Sequence, residues 1–248
     1  IYVCWGCLRV SEHAGCSFDL VLKLLVSLLD ALTVIPVGLL ALVCGASATK
    51  ARNAAFFFAI NPATILVASF HGQNDPVIMD LLMWASWLLL RMPFGFAPEL
   101  AMLLVGTSLA IKPIAVLFLP LLLLQVPGWR RRAYGLTLAV LPSLLFWLPN
   151  LLDSPNEVLI ALRSYRGVPD FGYVGIYNSW RNLGLGGSGI SHDYAFAWWF
   201  RPFCLLVIGL VWWRCRRAGL ITQVVVVTLT LYLIYGKLAA QYLMWVIP

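Results

Sequence analysis

An all-α, polytopic bundle of membrane-crossing helices is the fold class that three observations predict. Apolar residues make up 62% of the 248, and charged residues only 11%. Mean hydropathy is +0.89. The apolar residues fall into long runs separated by short polar stretches. Soluble domains carry about 45–50% apolar and about 25% charged residues, so a soluble chain of this composition could not cover its own surface. At roughly 20 residues per span, the length accommodates about eight or nine crossings.

The runs are 1–10, 20–44, 54–70, 76–90, 98–111, 113–126, 133–149, 195–213, 219–235 and 238–248. The first and last are partial, since the chain opens on Ile1 and closes on Pro248 inside apolar sequence. Residues 1–248 are therefore expected to form a single transmembrane domain, incomplete at both ends. The stretch 98–126 reads either as one long helix kinked at Pro113 or as two short ones hinged at Lys112-Pro113.

Charge decides between them. The polar stretches at Lys50/Arg52, Arg91, Arg130-Arg131-Arg132 and Arg214/Arg216/Arg217 are basic and almost free of acids. Basic loops stay on the cytoplasmic side. Arg91 and Arg130 share that side only if 98–126 crosses twice, or dips in and returns. The same placement explains the net charge of +7 without nucleic acid, for which no polar basic face exists. The opposite, extracytoplasmic side then receives His71-Gly72-Gln73-Asn74-Asp75, Lys112, the loop 150–194 and the segment from Gly236 to Gln241.

The loop 150–194 is long and of mixed charge, with Asp153, Glu157, Arg163, Arg166, Asp170, Arg181 and Asp193. Loops of this length without function are uncommon. Residues 155–165 carry a helical pattern suited to lying on the membrane surface. Its aromatics, among them Tyr173 and Trp180, suit either an interfacial belt or a platform for stacking sugars.

The six cysteines, at 4, 7, 16, 44, 204 and 215, lack zinc spacing, and Cys4-Trp5-Gly6-Cys7 lacks the context of a redox motif. No metal or cofactor is expected. Lys23 and Asp30 lie a heptad apart on one helical face. Lys23 is expected to snorkel to the interface, and Asp30 to sit near the span centre and accept hydrogen bonds from a neighbouring helix.

His71, Gln73, Asn74 and Asp75 offer an imidazole, two amides and a carboxylate between two apolar runs. They read either as a polar turn in which an Asx side chain caps the helix at Pro76, or as a cluster that binds a polar head group. Lys112, Arg163, Arg166, Arg181 and Lys237 are cations on the side that disfavours them. A phosphate ligand would explain them. Pairing with loop acids would explain some of the arginines, but Lys112 and Lys237 have no acid near them in sequence.

Four segments in order carry a family resemblance. Asn61-Pro62 followed by His71-Gly72-Gln73-Asn74-Asp75 resembles the "NP…HGQFD" stretch of prokaryotic GT-C glycosyltransferases. In frame it is similar to the "HFQYN" stretch of the glucosyltransferases of N-glycan assembly. Lys23 to Asp30 resembles the family's "KLPAILAD" helix, apart from Ser27. Ile111-Lys112-Pro113 with Pro120 resembles "fKP…lP", and Gln241 to Pro248 resembles "QYLLWLLP".

The resemblance implies an integral-membrane hexosyltransferase that moves mannose or glucose from a polyprenyl-phosphate donor to a lipid-linked or protein acceptor. It implies work on the extracytoplasmic or lumenal face of a cell inner membrane or the endoplasmic reticulum. It also implies a catalytic acid in a loop upstream of Ile1, so residues 1–248 alone are expected to be inactive. The substrate-binding candidates are His71, Gln73, Asn74, Asp75, Lys112, Arg163, Arg166, Lys237 and Gln241. The rival from another class is a multi-pass secondary transporter, which predicts internal repeats and paired broken helices. The sequence shows one candidate break, at Pro113, and no repeat.

Overall fold

The computed structural model describes residues 2–70, 74–164, 173–174, 194–234 and 238–239. These are helical apart from connecting turns and one two-residue antiparallel pairing, so the chain is all-α. It divides into two compact units, one built on residues up to Asp153 and one beginning at Ser154. The division falls at the start of the long polar segment.

The first unit contains α1 (Tyr2–Ala14), α2 (Phe18–Val43) and α3 (Ala48–Ala59). A short α4 (Pro62–Ile65) continues into a π-helical turn, Leu66–Phe70. Next come α5 (Asp75–Arg91), α6 (Ala97–Ile111), a 3-10 turn (Pro113–Leu117), α7 (Leu119–Leu123) and α8 (Trp129–Asp153). Serine side chains start two of these helices. Ser17 accepts from the Leu20 N–H and Ser47 from the Lys50 N–H, satisfying donors that a helix N-terminus otherwise leaves open. Gly95, at φ +68°, turns the chain between α5 and α6, a backbone angle that costs glycine little.

Two helices, α2 and α8, are long and apolar enough to cross a membrane. Both carry apolar side chains on their exposed faces as well as on their buried ones. On α2, Val26, Thr33, Val37 and Leu40 are buried while Leu20, Leu24, Leu28 and Leu32 stand exposed along the other face. On α8, Leu141, Leu144, Leu145, Leu148 and Leu152 are exposed. Apolar rows of this extent mark contact with lipid or another protein. Residues 97–111 form a shorter apolar helix, and 202–215 and 220–231 are apolar segments of helices in the second unit.

Contacts between helices fix their directions. The hydroxyls of Ser27 and Ser69 meet at 3.0 Å, and Asp80 of α5 lies beside Thr33 of α2. Thus α2 and α5 run parallel, and they end at Val43 and Arg91 almost equally far beyond that last contact. Along α6 and α8, Glu99 meets Arg131, Met102 meets Gly135 and Gly106 meets Ala139. These two helices also run parallel. The chain between Lys112 and Gly128 must therefore travel back, and the 3-10 turn with α7 carries it. This is the out-and-back path that the positions of Arg91 and Arg130 require.

α6 and α8 approach very closely. A Cβ on Gly106 would stand 2.6 Å from the Ala139 carbonyl oxygen. Gly106 faces α8, and Gly135 and Ala139, four residues apart, face α6. Small residues at this interval let apolar helices pack backbone to backbone.

Two expected helices differ from their apolar runs. The run 54–70 is broken at Ile60 and Asn61, before Pro62. Proline withholds an N–H and drives the preceding residue out of helical geometry. The run 113–126 holds a 3-10 turn and a single α-turn rather than one helix, because Pro113 and Pro120 interrupt it.

The second unit contains α9 (Pro155–Ser164), α10 (Tyr194–Cys215) and α11 (Leu220–Ile234). Strand β1 (Tyr173–Val174) pairs antiparallel with β2 (Leu238–Ala239). α9 coincides with the helical pattern read at 155–165. Gln223 ties α10 to α11: its amide donates to the carbonyls of Arg216 and Ala218, and its oxygen accepts from the Trp212 indole at 3.0 Å.

Candidate functional site

Two of the singled-out segments converge at one end of the first unit. Asp75 opens α5, and Lys112 follows the last residue of α6. The helices form a hairpin, so these distant positions meet. The Lys112 ammonium donates to both carboxylate oxygens of Asp75, at 2.9 and 3.1 Å. Asp75 is fully buried, and the side chain of Lys112 is 24% exposed. Of the two side chains, Lys112 is the partly exposed one.

Lys112, which has no acid near it in sequence, thus has one in space. The turn does not cap α5 through Asn74. Asn74 occupies the N-cap position of α5 but makes no side-chain capping bond, and Pro76 sits at the first helical positions. The Asp75 carboxylate reaches across to α6. Removing two charges from water costs several kcal/mol per ion unless they pair and hydrogen-bond well, and bidentate donation from Lys112 supplies that compensation.

The π-helical turn Leu66–Phe70 leads into the same end. Such turns insert an extra residue per turn and occur frequently at functional sites. Ser27 of α2 anchors it through Ser69. These contacts join three of the four quoted segments: the helix from Lys23 to Asp30, the stretch from Asn61 to Asp75, and Ile111-Lys112-Pro113.

The other candidates stand as follows. Asn74 is exposed beside Asp75. His71, Gln73, Arg166, Lys237 and Gln241 lie outside the described residues, and Arg163 falls in α9 with its side chain outside them. Lys23 pairs with Asp19 at 2.8 Å, and both are partly exposed. Asp30 sits at the middle of α2 (Phe18–Val43), as expected of a residue near the span centre, and its Oδ1 is buried without a hydrogen-bond partner among the described residues.

Sequence reasoning missed Asp80. It sits within an apolar run, faces Thr33 and Trp84, and leaves Oδ1 buried and unpartnered. The signal was the one that drew attention to Asp30, an acid inside an apolar helix. Also missed was the Arg131–Glu99 ion pair at the opposite end, 3.2 Å long.

No family model matches the chain, and neither a curated protein nor a solved structure is significantly similar to it.

Proposed function

We propose that this protein is a multi-pass membrane glycosyltransferase of GT-C type, moving a hexose from a polyprenyl-phosphate donor to an acceptor hydroxyl. The buried Asp75–Lys112 pair is the observation that supports this reading most strongly. It draws the turn ending at Asp75 and the Lys112-Pro113 junction to one end of the bundle, with the Lys112 side chain partly exposed. In the reaction, the acceptor oxygen bonds to the sugar's anomeric carbon as the bond from that carbon to the phosphate oxygen breaks. The electron pair leaves with the lipid phosphate, and the acceptor proton passes to a base. A fixed cation at the departing phosphate stabilises the charge that develops there. Lys112 takes that role, and Asp75 is the positioning residue that holds it.

The decisive comparison separates this role from mere bundle stability. With the protein produced from its native gene in membranes, K112M should lower transfer from a polyprenyl-phosphate hexose by about a hundredfold or more. The double variant D75N/K112M leaves no unpaired buried charge, so it should recover folding but not transfer. Recovery of transfer in the double variant would refute the role given to Lys112.

A secondary transporter is the second reading, and one observation favours it. The first unit holds two interrupted apolar runs, at Ile60–Asn61 and at Lys112–Phe118, and transporters build sites from broken helices. Reconstituted protein that moves a solute across liposomes but transfers no sugar would select it.

A further inference from the structure

The opposite end of the first unit carries the basic residues. α2 and α5 finish there, α3 begins there, and Arg131 fastens α8 to the connection between α5 and α6. Its guanidinium donates to the Gly95 carbonyl at 2.6 Å and pairs with Glu99. Arg132 is also committed, donating to the Val126 and Leu124 carbonyls at 2.8 and 3.0 Å. Those two arginines serve the fold.

Arg91 and Arg130 do not. Both are exposed, and among the described residues neither pairs with a carboxylate. Arg130 lies over the Trp129 ring, 5.6 Å from its centre. Around them stand the most exposed aromatic side chains described: Phe94 and Phe96 at 76% and Trp129 at 74%. The Arg131–Gly95 bond brings the 92–96 loop against the start of α8, so the arginines and aromatics share one patch. The acid of this end, Glu99, is occupied by Arg131.

We propose that this patch binds the head group of an anionic phospholipid. Guanidinium groups match phosphate oxygens, and aromatic rings are at home where head groups meet acyl chains. A phosphate held by Arg91 and Arg130, with the glycerol and upper acyl chains on Phe94, Phe96 and Trp129, satisfies both kinds of side chain at once. Charge complementarity selects the occupant: the patch has cations and apolar surface, and no free acid to favour a zwitterionic ammonium. The binding is independent of the transferase reading.

The test uses the purified protein in detergent, with native mass spectrometry to count bound lipid against added phosphatidylglycerol or phosphatidylcholine. Phosphatidylglycerol should bind tighter, and R91A/R130A should weaken it by about tenfold or more, since each cation near an anionic lipid contributes about 1 kcal/mol. R91K/R130K should bind with an affinity between those of the parent and R91A/R130A, because lysine keeps the charge and loses the guanidinium fork, and this guards against loss through misfolding. K50A/R52A removes the same charge from the same end, away from the patch, and should leave the affinity within about twofold. Equal binding of the two lipids would overturn the proposal. So would an equal loss in K50A/R52A, which would mean diffuse surface potential and no site. Unchanged lipid affinity in R91A/R130A, together with release of a co-purifying acidic protein, would reassign the patch to that partner and likewise overturn it.

Discussion

At the scale of single residues, the charged side chains inside the first unit divide by whether geometry compensates them. Asp75 and Lys112 compensate each other. Removing one partner of a buried pair typically costs about 3–5 kcal/mol, because the other charge stays behind. D75N and K112M should each lower stability in detergent by about that much, and D75N/K112M by clearly less than the sum. Thermal unfolding followed by tryptophan fluorescence measures the coupling; strict additivity would mean the two groups do not interact. Asp30 presents the opposite case, with a buried Oδ1 lacking a partner among the described residues. Asp30→Asn removes the potential for charge while keeping shape, so it should leave stability unchanged or raise it by about 1 kcal/mol. A loss beyond about 2 kcal/mol in the same assay would show that this carboxylate is satisfied by contacts outside the described residues.

At the scale of elements, the junction of α6 and α8 organises the first unit. Their parallel course depends on backbone contact at Gly106, where any Cβ meets the Ala139 carbonyl. Overpacking a filled interface typically costs about 1–3 kcal/mol. Gly106→Val should cost at least that, because the obstacle is backbone and cannot rotate away. Gly209→Ala is the matched control, since among the described residues nothing stands within 4 Å of a Cβ there. It should be neutral or slightly stabilising, given alanine's higher helix propensity. Equal melting temperatures for Gly106→Val and the parent would show that α6 and α8 do not pack this closely.

At the scale of the whole molecule, the arrangement predicts sidedness. Lys50, Arg91 and Arg130 belong to one end of the first unit, and Asn74 and Lys112 to the other. Single cysteines placed at 50, 74 and 130 in a cysteine-free background, labelled with an impermeant maleimide in intact cells and in inverted vesicles, test this. Positions 50 and 130 should react from one side and 74 from the other. Labelling of 74 and 130 from the same side would contradict both the parallel course of α6 and α8 through a membrane and the proposed site.

Much of this was legible in the sequence, for reasons that are local. The apolar composition pointed to helices able to cross a membrane, and the apolar runs coincide with α2, α5, α6, α8, α10 and α11 to within a few residues. The arginine distribution required the chain to return between Lys112 and Arg130, and a short 3-10 and α-helical segment does so. Proline punctuation was visible but under-weighted: Pro62 and Pro120 break runs that apolarity alone reads as continuous, because a backbone N–H can be absent without any change in hydropathy.

By itself, the sequence determined the helical class, the apolar character of its surface and the grouping of basic residues between runs. Hydropathy and charge are properties of a residue and its near neighbours, and lipid or water acts on each run separately. Only the tertiary structure decided that Lys112 has a partner, that the partner is Asp75, and that Gly106 rests against Ala139. Those facts depend on which helices lie side by side, and pairwise contact between distant residues leaves no mark on either local pattern. The charge on Lys112 is the same whether a phosphate or a carboxylate answers it; its depth and its neighbour are what packing adds.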